Sequence, residues 1–368
     1  MKDRKNLMGS GVQIIGAGIA GLTAALALRR AGFDCEIHER MTEFNQLGAG
    51  IILGPNAVHL LSILGVDLFS VGQPVTKVRT LDLRGRVIQE SDLSRVTGSS
   101  PGALAFDRTE LHQALIQALP SGFVQLGSPY KVEESFAEDR FLIGADGIYS
   151  TVRQKIAGPL AIRYSGCTCW RAICQNPGVD GAFEQWAGRS RIGVIPLTGN
   201  RIYVYLVRTA PQASPRSNNM AFIRNDFTFC SSEALRVVDA LAETPLLHHD
   251  LEELARPVWG AGKTLLIGDA AHAMTPNLGQ GAGMAIEDAF VLPATLQAPD
   301  PAAELKRIRH SRVLQLQRAS RLLGQVAHWE HPWSCALRDC LLRAIPSWVS
   351  ERQYARMIEQ GISLSSRH

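Results

Sequence analysis

Hydrophobic and polar positions follow a clear order in the N-terminal part of the chain. The apolar run from Val12 to Ile15 predicts a buried strand, and the Ala- and Leu-rich stretch from Leu22 to Arg30 predicts a helix closed by Gly32. The next apolar run, Cys35 to Glu39, predicts a second strand. Strand, helix and strand in this order are typical of a βαβ unit whose helix covers one face of a parallel sheet.

A second helix is predicted after Asp107, which stands at a cap position with Glu110 three residues later, as in a capping box. The apolar residues of this helix fall on one face. They are Leu111, Ala114, Leu115, Ala118 and Leu119.

Short strands and turns replace this pattern in residues 71–99 and 161–206, where Ile192 to Ile195 and Ile202 to Val207 are predicted to be antiparallel neighbours. A strand pattern returns at Thr264 to Ile267, so the first domain is predicted to be interrupted and then resumed. Between these parts, His248 and His249 are expected to be surface or linker residues.

The C-terminal part, from Ala302 to His368, is predicted to be mostly helical. One side of this part is expected to be basic. It carries Arg307, Arg309, Arg312, Arg318 and Arg321.

Composition narrows the class of protein. A length of 368 residues fits two or three domains of about 150 residues each. Hydrophobic residues at 46% and charged residues at 20% exclude a disordered or fibrous chain. A net charge of +4, without a basic run interleaved with aromatic residues, argues against nucleic-acid binding.

Cysteine usage and apolar run lengths indicate a cytoplasmic protein. The seven cysteines include no Cys-x-x-Cys pair, so we expect reduced, buried thiols and no metal site. The segment from Met1 to Leu28 resembles a signal peptide, but glycines at nucleotide-fingerprint spacing interrupt it. No stretch offers about 18 uninterrupted apolar residues, so we expect no transmembrane helix.

Many of the 33 glycines fall in four clusters, which suggests that the backbone approaches a ligand closely. In the first cluster, Gly16, Gly18 and Gly21 stand between the first strand and helix, with Glu39 at the end of the second strand. Such glycines let a pyrophosphate reach the positive N-terminus of the helix, and the acid can accept the ribose hydroxyls. With strand, helix and acid in register, this pattern predicts dinucleotide binding.

Two other clusters follow predicted strands. An apolar strand ends in the Gly-Ala-Asp-Gly segment that contains Asp146, and another ends in Gly268-Asp269. The second leads to the glycine-rich loop from Pro276 to Gly283 and then to a helix, whose N-terminus could hold the negative charge of a reduced flavin. The fourth cluster, Gly48 to Gly54, is expected to line the other side of the same ligand.

These three motifs, in this order and at these separations, resemble the signatures of the class A flavoprotein monooxygenases, the para-hydroxybenzoate-hydroxylase-like group. The resemblance covers nearly the whole chain. It implies an α/β fold in which a mixed β-sheet substrate domain is inserted into an FAD/NAD(P)-binding Rossmann-like domain, with helices at the C-terminus. The implied division is an FAD-binding domain of residues 1–70, 101–160 and 262–322, a substrate-binding domain of residues 71–100 and 161–261, and C-terminal helices in residues 323–368.

The resemblance also implies which residues bind FAD. They are Gly16, Gly18, Gly21, Glu39, Arg40, Gly50, Arg108, Asp146, Asp269, Gly279, Gln280, Gly281, Ala282 and Gly283. No side chain is assigned as catalytic, because the flavin carries the chemistry. Pro276 and His272 are candidates near the flavin, His272 chiefly as a residue that orients the loop by a hydrogen bond.

The activity implied by the resemblance is hydroxylation of an aromatic or heteroaromatic ring through a flavin C4a-hydroperoxide. FAD would be bound tightly and non-covalently, NADH or NADPH would bind transiently, and O2 would be consumed. Three segments are similar to 2-alkyl-4(1H)-quinolone 3-hydroxylases, which favours such a quinolone as substrate. They are His249 to Ala255, Gly268 to Gly281 and Trp329 to Trp333.

Other readings stay open at this point. The same motifs would serve a salicylate, hydroxypyridine or urate hydroxylase, or a reductase without oxygen transfer, although the Pro276 to Gly281 loop argues against the reductase. A non-catalytic binding protein of the GDP-dissociation-inhibitor type would keep the fingerprint without needing Asp269. The segment from Gln125 to Phe141 is shorter than the hairpin that the family usually has here, so the sequence does not predict the outer strands beside the FAD adenine.

The oligomeric state is expected to be a monomer or homodimer. The C-terminal stretch is rich in apolar residues among arginines. They are Trp329, Trp333, Leu337, Leu341, Leu342 and Trp348. We expect this stretch to pack against the FAD domain or a second subunit, with peripheral membrane contact as the alternative.

Overall fold

The computed structural model describes residues 11–44, 49–95, 102–131, 140–214 and 218–365. Its strands in chain order are β1 (Val12–Ile15), β2 (Cys35–His38), β3 (Gly50–Leu53), β4 (Gln73–Val75), β5 (Lys77–Leu81), β6 (Val87–Asp92), β7 (Ala103–Asp107), β8 (Val124–Gln125), β9 (Phe141–Gly144), β10 (Ile162–Gln175), β11 (Ala182–Ala187), β12 (Ser190–Leu197), β13 (Arg201–Thr209), β14 (Leu247–Leu254), β15 (Gly260–Ala261) and β16 (Thr264–Leu266).

The helices are α1 (Ile19–Arg30), α2 (Pro55–Ile63), α3 (Arg108–Gln117), α4 (Thr151–Ala157), α5 (Met220–Asn225), α6 (Ser232–Ala240), α7 (Asp269–His272), α8 (Gly281–Thr295), α9 (Pro301–Ala327), α10 (Pro332–Ala344) and α11 (Ser347–Ile362). Short 3-10 turns occupy Leu93–Arg95 and Pro276–Leu278.

The N-terminal βαβ unit is confirmed. β1 pairs in parallel with β2, and α1 begins at Ile19, earlier than the sequence pattern predicted, directly after Gly18, so that Gly21 lies in its first turn. Nine of the twelve residues of α1 are buried, which explains why the helix is apolar on nearly all sides.

One six-stranded sheet brings the three glycine motifs together. Its strand order is β15-β16-β9-β1-β2-β8, and β16, β9, β1 and β2 run parallel to one another. Because the carboxyl ends of parallel strands lie at the same edge, the segments that follow β1, β9 and β16 are neighbours there. These segments contain Gly16, Asp146 and Asp269.

The second sheet has seven strands in the order β14-β10-β13-β12-β11-β5-β6. The predicted antiparallel pair, β12 with β13, lies near its centre. One face is covered by α5, α6 and the turn between them, from which Ile223, Val237 and Phe227 pack in one cluster with Ile202 and Val204 of β13. The opposite face packs on a small antiparallel sheet of order β3-β7-β4. The α/β fold class is confirmed, whereas the domain boundaries stay a prediction.

The cap predicted for α3 is confirmed in part. The Asp107 side chain accepts a hydrogen bond from the Thr109 amide at 2.9 Å. Glu110, however, accepts a hydrogen bond from Arg201 of β13 at 2.7 Å, so a tertiary ion pair engages the expected capping-box partner.

Two expectations about polar residues were wrong. Arg309 and Arg312 of α9 are buried rather than part of a basic outer side, because they pair with carboxylates of α8. His248 belongs to β14 instead of a linker, and its ring stacks on Trp170 at 4.4 Å between centroids. The arginines are drawn into the interior by partners distant in sequence, whereas His248 is half-buried. His249, on the same strand, is exposed, so the expected surface position is confirmed for that residue.

The cysteines differ in exposure. All seven cysteines are free thiols, but Cys340 is exposed and Cys174 and Cys335 are half-buried, so burial was predicted correctly for only four. Among the described residues, no helix combines the length and the apolar character needed to cross a membrane.

The C-terminal helices pack against α2 and against the edge of the second sheet. α11 contacts α2 and β6, and α10 contacts β6. Leu342 of α10 packs in a small cluster with Ile88 and Trp186. Packing against the body of the protein is therefore confirmed for one side of these helices, whereas Trp333 and Trp348 remain exposed.

Candidate cofactor and substrate site

The fingerprint glycines have distinct structural reasons to lack a side chain. Gly16 has a φ of +102°, and a Cβ there would lie 2.5 Å from the carbonyl oxygen of Ala145. A Cβ on Gly21 would lie 1.9 Å from the carbonyl oxygen of Gly16. A Cβ on Gly18 would meet no atom within 4 Å, so this position faces open space at the start of α1. Gly16 and Gly21 serve the fold, and Gly18 leaves room for a ligand.

Glu39 lies beside this turn. One of its carboxylate oxygens accepts a hydrogen bond from the Ala17 amide at 2.8 Å, and the other accepts one from the Met41 amide at 3.0 Å. These bonds hold the carboxylate at the end of β2, close to the N-terminus of α1. Arg40 follows it and is exposed.

Asp146 caps α4 with one oxygen and leaves the other without a partner. Its Oδ2 accepts hydrogen bonds from the amides of Thr151 and Val152, at 2.7 and 3.2 Å. Its Oδ1 is buried and has no hydrogen-bond partner among the described atoms. An unpartnered carboxylate oxygen beside the fingerprint turn is an acceptor left for a ligand hydroxyl or amide.

Arg108 and Asp269 lie together in a cleft. Both side chains remain accessible to solvent, yet protein surrounds them closely enough to change their pKa values. Burial lowers the pKa of Arg108, and the nearby charge of Arg171 acts in the same direction. Burial raises the pKa of Asp269, which the charges of His272 and Arg108 oppose. A concave site with opposite charges at its base is suited to a polar ligand.

The loop before α8 shapes one side of this cleft. Gly279 has a φ of +62° and Gly281 begins the helix, and a Cβ on either would meet no atom within 4 Å. Pro276 is exposed, whereas Gln280 is buried. Ala282 packs on the core and Gly283 is buried, with the Gln280 side chain 3.2 Å from where its Cβ would be.

Gly50 begins β3 and lies against the second sheet. A Cβ on Gly50 would lie 2.1 Å from Cγ of Tyr203, so its lack of a side chain lets the ring of β13 lie against β3. Gly48 of the same cluster lies outside the described residues, as do residues 132–139 of the shortened segment. β8, at the start of that segment, forms the outer strand beside β2.

An ion network behind Asp269 fixes the local backbone. His272 is bonded through Nε2 to Asp288 Oδ2 at 2.5 Å, and the same oxygen accepts a hydrogen bond from the Gly268 amide at 3.0 Å. Arg309 donates to the other Asp288 oxygen at 2.7 Å. His272 thus makes a hydrogen bond that ties the segment before the loop to α8.

A polar cluster on one face of the second sheet was not predicted from the sequence. Glu184 of β11 accepts a hydrogen bond from the Tyr205 hydroxyl at 2.7 Å and pairs with Arg191 at 3.1 Å. Arg191 also donates to Asn277 Oδ1 at 2.7 Å, which connects the sheet to the 3-10 turn before α8. Burial and the Glu184 carboxylate raise the pKa of Tyr205 well above its usual range. Charged residues inside otherwise apolar strands were the signal available in the sequence.

These features fit an FAD molecule. The open space at Gly18, the free oxygen of Asp146 and the charged cleft at Arg108 and Asp269 follow one sheet edge. A dinucleotide needs such a series of contacts, from pyrophosphate to ring. Within the described ranges, no group of three or more His, Cys, Asp or Glu side chains is placed to hold a metal ion.

Comparisons with known proteins agree with this geometry. The profile of the family described as FAD binding domain matches residues 10–126 and 131–300. The chain is 36% identical to 2-heptyl-3-hydroxy-4(1H)-quinolone synthase of Pseudomonas aeruginosa, over 94% of this chain and 97% of that one. It is 31% identical to the aurachin C monooxygenase/isomerase of Stigmatella aurantiaca, over 91% and 94%.

Among solved structures, HpxO of Klebsiella pneumoniae complexed with FAD and uric acid superposes with a TM-score of 0.85 at 25% identity. The superposition covers 96% of this chain and 98% of that one.

Proposed function

The chain belongs to the FAD binding domain family and is an FAD-dependent aromatic monooxygenase, and from that premise we propose that it hydroxylates a 2-alkyl-4(1H)-quinolone at C3. NADH or NADPH and O2 are the co-substrates of this reaction. The observation that carries the choice of ring is the cluster of buried Arg191 with half-buried Glu184 and Tyr205, considered together with the 36% identity to a quinolone synthase.

The fingerprint and the cleft would hold FAD at its two ends. The N-terminus of α1 would receive the pyrophosphate at Gly18, and Glu39 would accept the hydroxyls of the adenosine ribose. Asp269 and Arg108 would contact the ribityl and ring end, beside the loop from Gly279 to Gly283. The remaining contacts are assigned to Gly16, Gly21, Arg40, Gly50 and Asp146. When bound, FAD supplies hydride acceptance and the transfer of one oxygen atom of O2.

The protein's own groups would position the substrate. A 4-quinolone presents one ring N–H donor and one carbonyl acceptor, so it needs one acceptor and one donor from the protein. Glu184 offers carboxylate oxygens, and the buried Nε of Arg191 has no hydrogen-bond partner among the described atoms. Burial alone would lower the pKa of Arg191, but Glu184, Tyr205 and two cysteines together outweigh it and raise the pKa, which keeps the guanidinium charged.

Apolar residues around this cluster would exclude water and contact the ring. Ile195 and Leu197 of β12 and Tyr203 of β13 are buried on the same sheet face. Because water would divert the oxygen-transfer step, a closed apolar surface beside the flavin favours productive hydroxylation. No strong general base is required, since the quinolone nitrogen already donates electron density to C3.

Substrate comparison tests the proposal. We expect 2-heptyl-4(1H)-quinolone to stimulate NADH or NADPH oxidation and to yield a product heavier by one oxygen atom. Arg191→Met should raise KM for the quinolone at least tenfold, because a hydrogen bond to a charged group contributes about 1.5–3 kcal/mol. Arg189→Met, at an exposed arginine two positions away, is the matched control and should leave KM unchanged. Stimulated oxidation without hydroxylated product would contradict the quinolone assignment.

A second substrate class is favoured by one specific feature. Arg171 and Arg108 lie close enough for the charge of one to lower the pKa of the other, and such paired cations suit an anionic ring such as salicylate. Salicylate and 2-heptyl-4(1H)-quinolone should therefore be assayed side by side. If salicylate were hydroxylated and the quinolone were not, the proposed substrate would be an aromatic carboxylate instead of a quinolone.

The cofactor assignment has its own test. Asp269→Ala should weaken FAD binding by about 1.5–3 kcal/mol, or roughly 10- to 150-fold, because a ribityl hydroxyl loses a charged acceptor. Flavin absorbance after dialysis measures the occupancy. Asp226→Ala, in the turn after α5 on the other face of the second sheet, is the control. Equal FAD affinity in wild type and the Asp269 variant would show that Asp269 does not contact FAD.

A further inference from the structure

The outer side of α10 and the start of α11 form an exposed apolar surface. Positions 333, 337 and 341 are four residues apart and therefore lie on one side of α10. This surface, called the α10 face below, consists of Trp333, Leu337, Leu341, Ile345 and Trp348. Their exposed fractions are 64%, 48%, 56%, 41% and 60%, so these five side chains face solvent together.

The α10 face lacks the acidic residues that a water-facing helix normally carries. Asp339 is the sole acid between positions 331 and 348, and it is buried in an ion pair with Arg338 at 2.8 Å. Helices that remain in water carry charged residues on the outer side. An outer side made of tryptophan, leucine and isoleucine is instead typical of a surface that another phase or molecule covers.

The border of the α10 face is basic. Arg86 and Arg343 both pair with Asp82, so one carboxylate is shared by two guanidinium groups. The side chains of these arginines are 61% and 40% exposed. Arg84, at the turn between β5 and β6, adds another exposed cation, and Val87 extends the apolar surface.

The exposed carboxylates near this border do not reverse its charge. Glu90 lies 3.9 Å from Lys77, and Glu330 lies 3.7 Å from Arg189. Each of these two acids is thus balanced by its own cation. The excess charge at the border of the α10 face is positive.

The inner side of α10 reaches the substrate cluster. Leu342 packs with Trp186, and the Arg338 guanidinium lies 5.0 Å from the centre of the Trp186 ring. Trp186 in turn donates a hydrogen bond from its indole nitrogen to Glu184 at 2.7 Å. One helix therefore separates the exposed apolar surface from the polar cluster of the proposed substrate site.

We propose that the α10 face docks on the surface of an anionic lipid bilayer. Tryptophan and leucine side chains would enter the boundary between headgroups and acyl chains, and the three border arginines would contact lipid phosphates. A second copy of this chain is a less suitable occupant, because a two-fold dimer would place two positive borders against each other. Delivery of an alkylated substrate from the bilayer would rest on the proposed function, whereas docking itself does not.

Vesicle flotation of the FAD-loaded, full-length protein without substrate tests this docking. We expect wild type to float with vesicles of phosphatidylglycerol and phosphatidylethanolamine and to float much less with phosphatidylcholine alone. The affinity of the triple variant Trp333→Ser, Leu337→Ser, Leu341→Ser for the anionic vesicles should be at least about tenfold lower than that of wild type. The matched control is Phe69→Ser, Phe229→Ser, which removes aromatic residues that are 59% and 75% exposed elsewhere, and it should float like wild type.

Three outcomes would overturn the proposal. Wild type that stays unbound with anionic vesicles would exclude docking, and equal loss in the triple variant and the control would show that the α10 face is not the contact. A lipid-free dimer that dissociates in the triple variant, measured by light scattering, would assign the face to a second copy. Because the assay contains no quinolone, a failed quinolone assay and a failed flotation remain distinguishable.

Discussion

The buried ion network between α8 and α9 allows a sharp prediction, the effect of Glu287→Gln. Glu287 is fully buried and receives hydrogen bonds at 2.7 Å from Arg312 and from Asn56. Arg309, also fully buried, lies 2.7 Å from its Oε2. The amide of glutamine would remove the negative charge and turn a donor toward two guanidinium groups. Asp288 would remain as the buried carboxylate partner of Arg309, whereas Arg312 would keep only its hydrogen bond to Gln360 among the described contacts.

The expected loss of stability follows from breaking a buried pair. Removing one partner of such a pair costs about 3–5 kcal/mol, because the other charge stays buried without compensation. The entropy of unfolding is about 2.1 cal/mol/K per residue, or about 0.8 kcal/mol/K for 368 residues. The melting temperature of the Glu287→Gln variant should therefore fall by about 4–6 °C.

Thermal unfolding followed by circular dichroism at a fixed, saturating FAD concentration measures this change, since bound ligand itself raises the melting temperature. Glu304→Gln is the matched control. Glu304 forms an exposed pair with Arg307 on the same helix, and loss of such a pair should shift the melting temperature by less than about 1 °C. Equal shifts in the two variants would refute the assignment of the network as a buried stabilising element.

The pH dependence provides a second criterion. Burial would raise the pKa of Glu287, but Arg309 and Arg312 outweigh it and hold the pKa below the usual 4.5. A depressed folded pKa gives a contribution that is complete above the unfolded value and is lost as pH falls through the folded one. The difference between wild type and Glu287→Gln should thus be the same at pH 6 and pH 8. A difference that halves within this interval would contradict the reasoning.

The remaining predictions concern backbone space and one buried histidine. Gly18→Ala should leave the melting temperature of FAD-free protein unchanged while weakening FAD binding. Gly21→Ala should lower that melting temperature, because its Cβ would lie 1.9 Å from a backbone oxygen. The same result for both variants in thermal scans and flavin titration would contradict these separate roles. Gly361→Ala should destabilise the protein by about 1–3 kcal/mol in a thermal scan, since its Cβ would lie 2.2 Å from Glu287 Oε1, and an unchanged scan would refute the contact. Burial, with the charge of Arg191 second, lowers the pKa of His328 to about 4, so stability should fall as pH drops from 6.5 toward 4, by about 2 kcal/mol at pH 5. His328→Asn should remove most of that loss between pH 7.5 and pH 5, and a pH dependence equal to wild type would show that His328 is not its source.

Residue type alone predicts the parts of the fold that depend on local chemistry. The apolar run and fingerprint from Val12 to Gly21 specify strand, turn and helix through positive φ and missing side chains, all of which are readable from residue type. The antiparallel pair of β12 and β13 was predictable because strand propensity and a short connection act over neighbouring residues. The resemblance carried by the three motifs also identified the family, which the match over residues 10–126 and 131–300 confirms.

Tertiary structure decided what the charged residues do. Arg309 and Glu287 are 22 positions apart on different helices, and Glu184 of β11 meets Tyr205 of β13 across the one intervening strand, so no local pattern marks either pair. His248 became a stacked partner of Trp170 for the same reason. A charged side chain can be buried only where the fold places an oppositely charged group beside it, and the residue types alone do not show where that happens. The outward direction of Trp333 was likewise fixed by which side of α10 packs on β6.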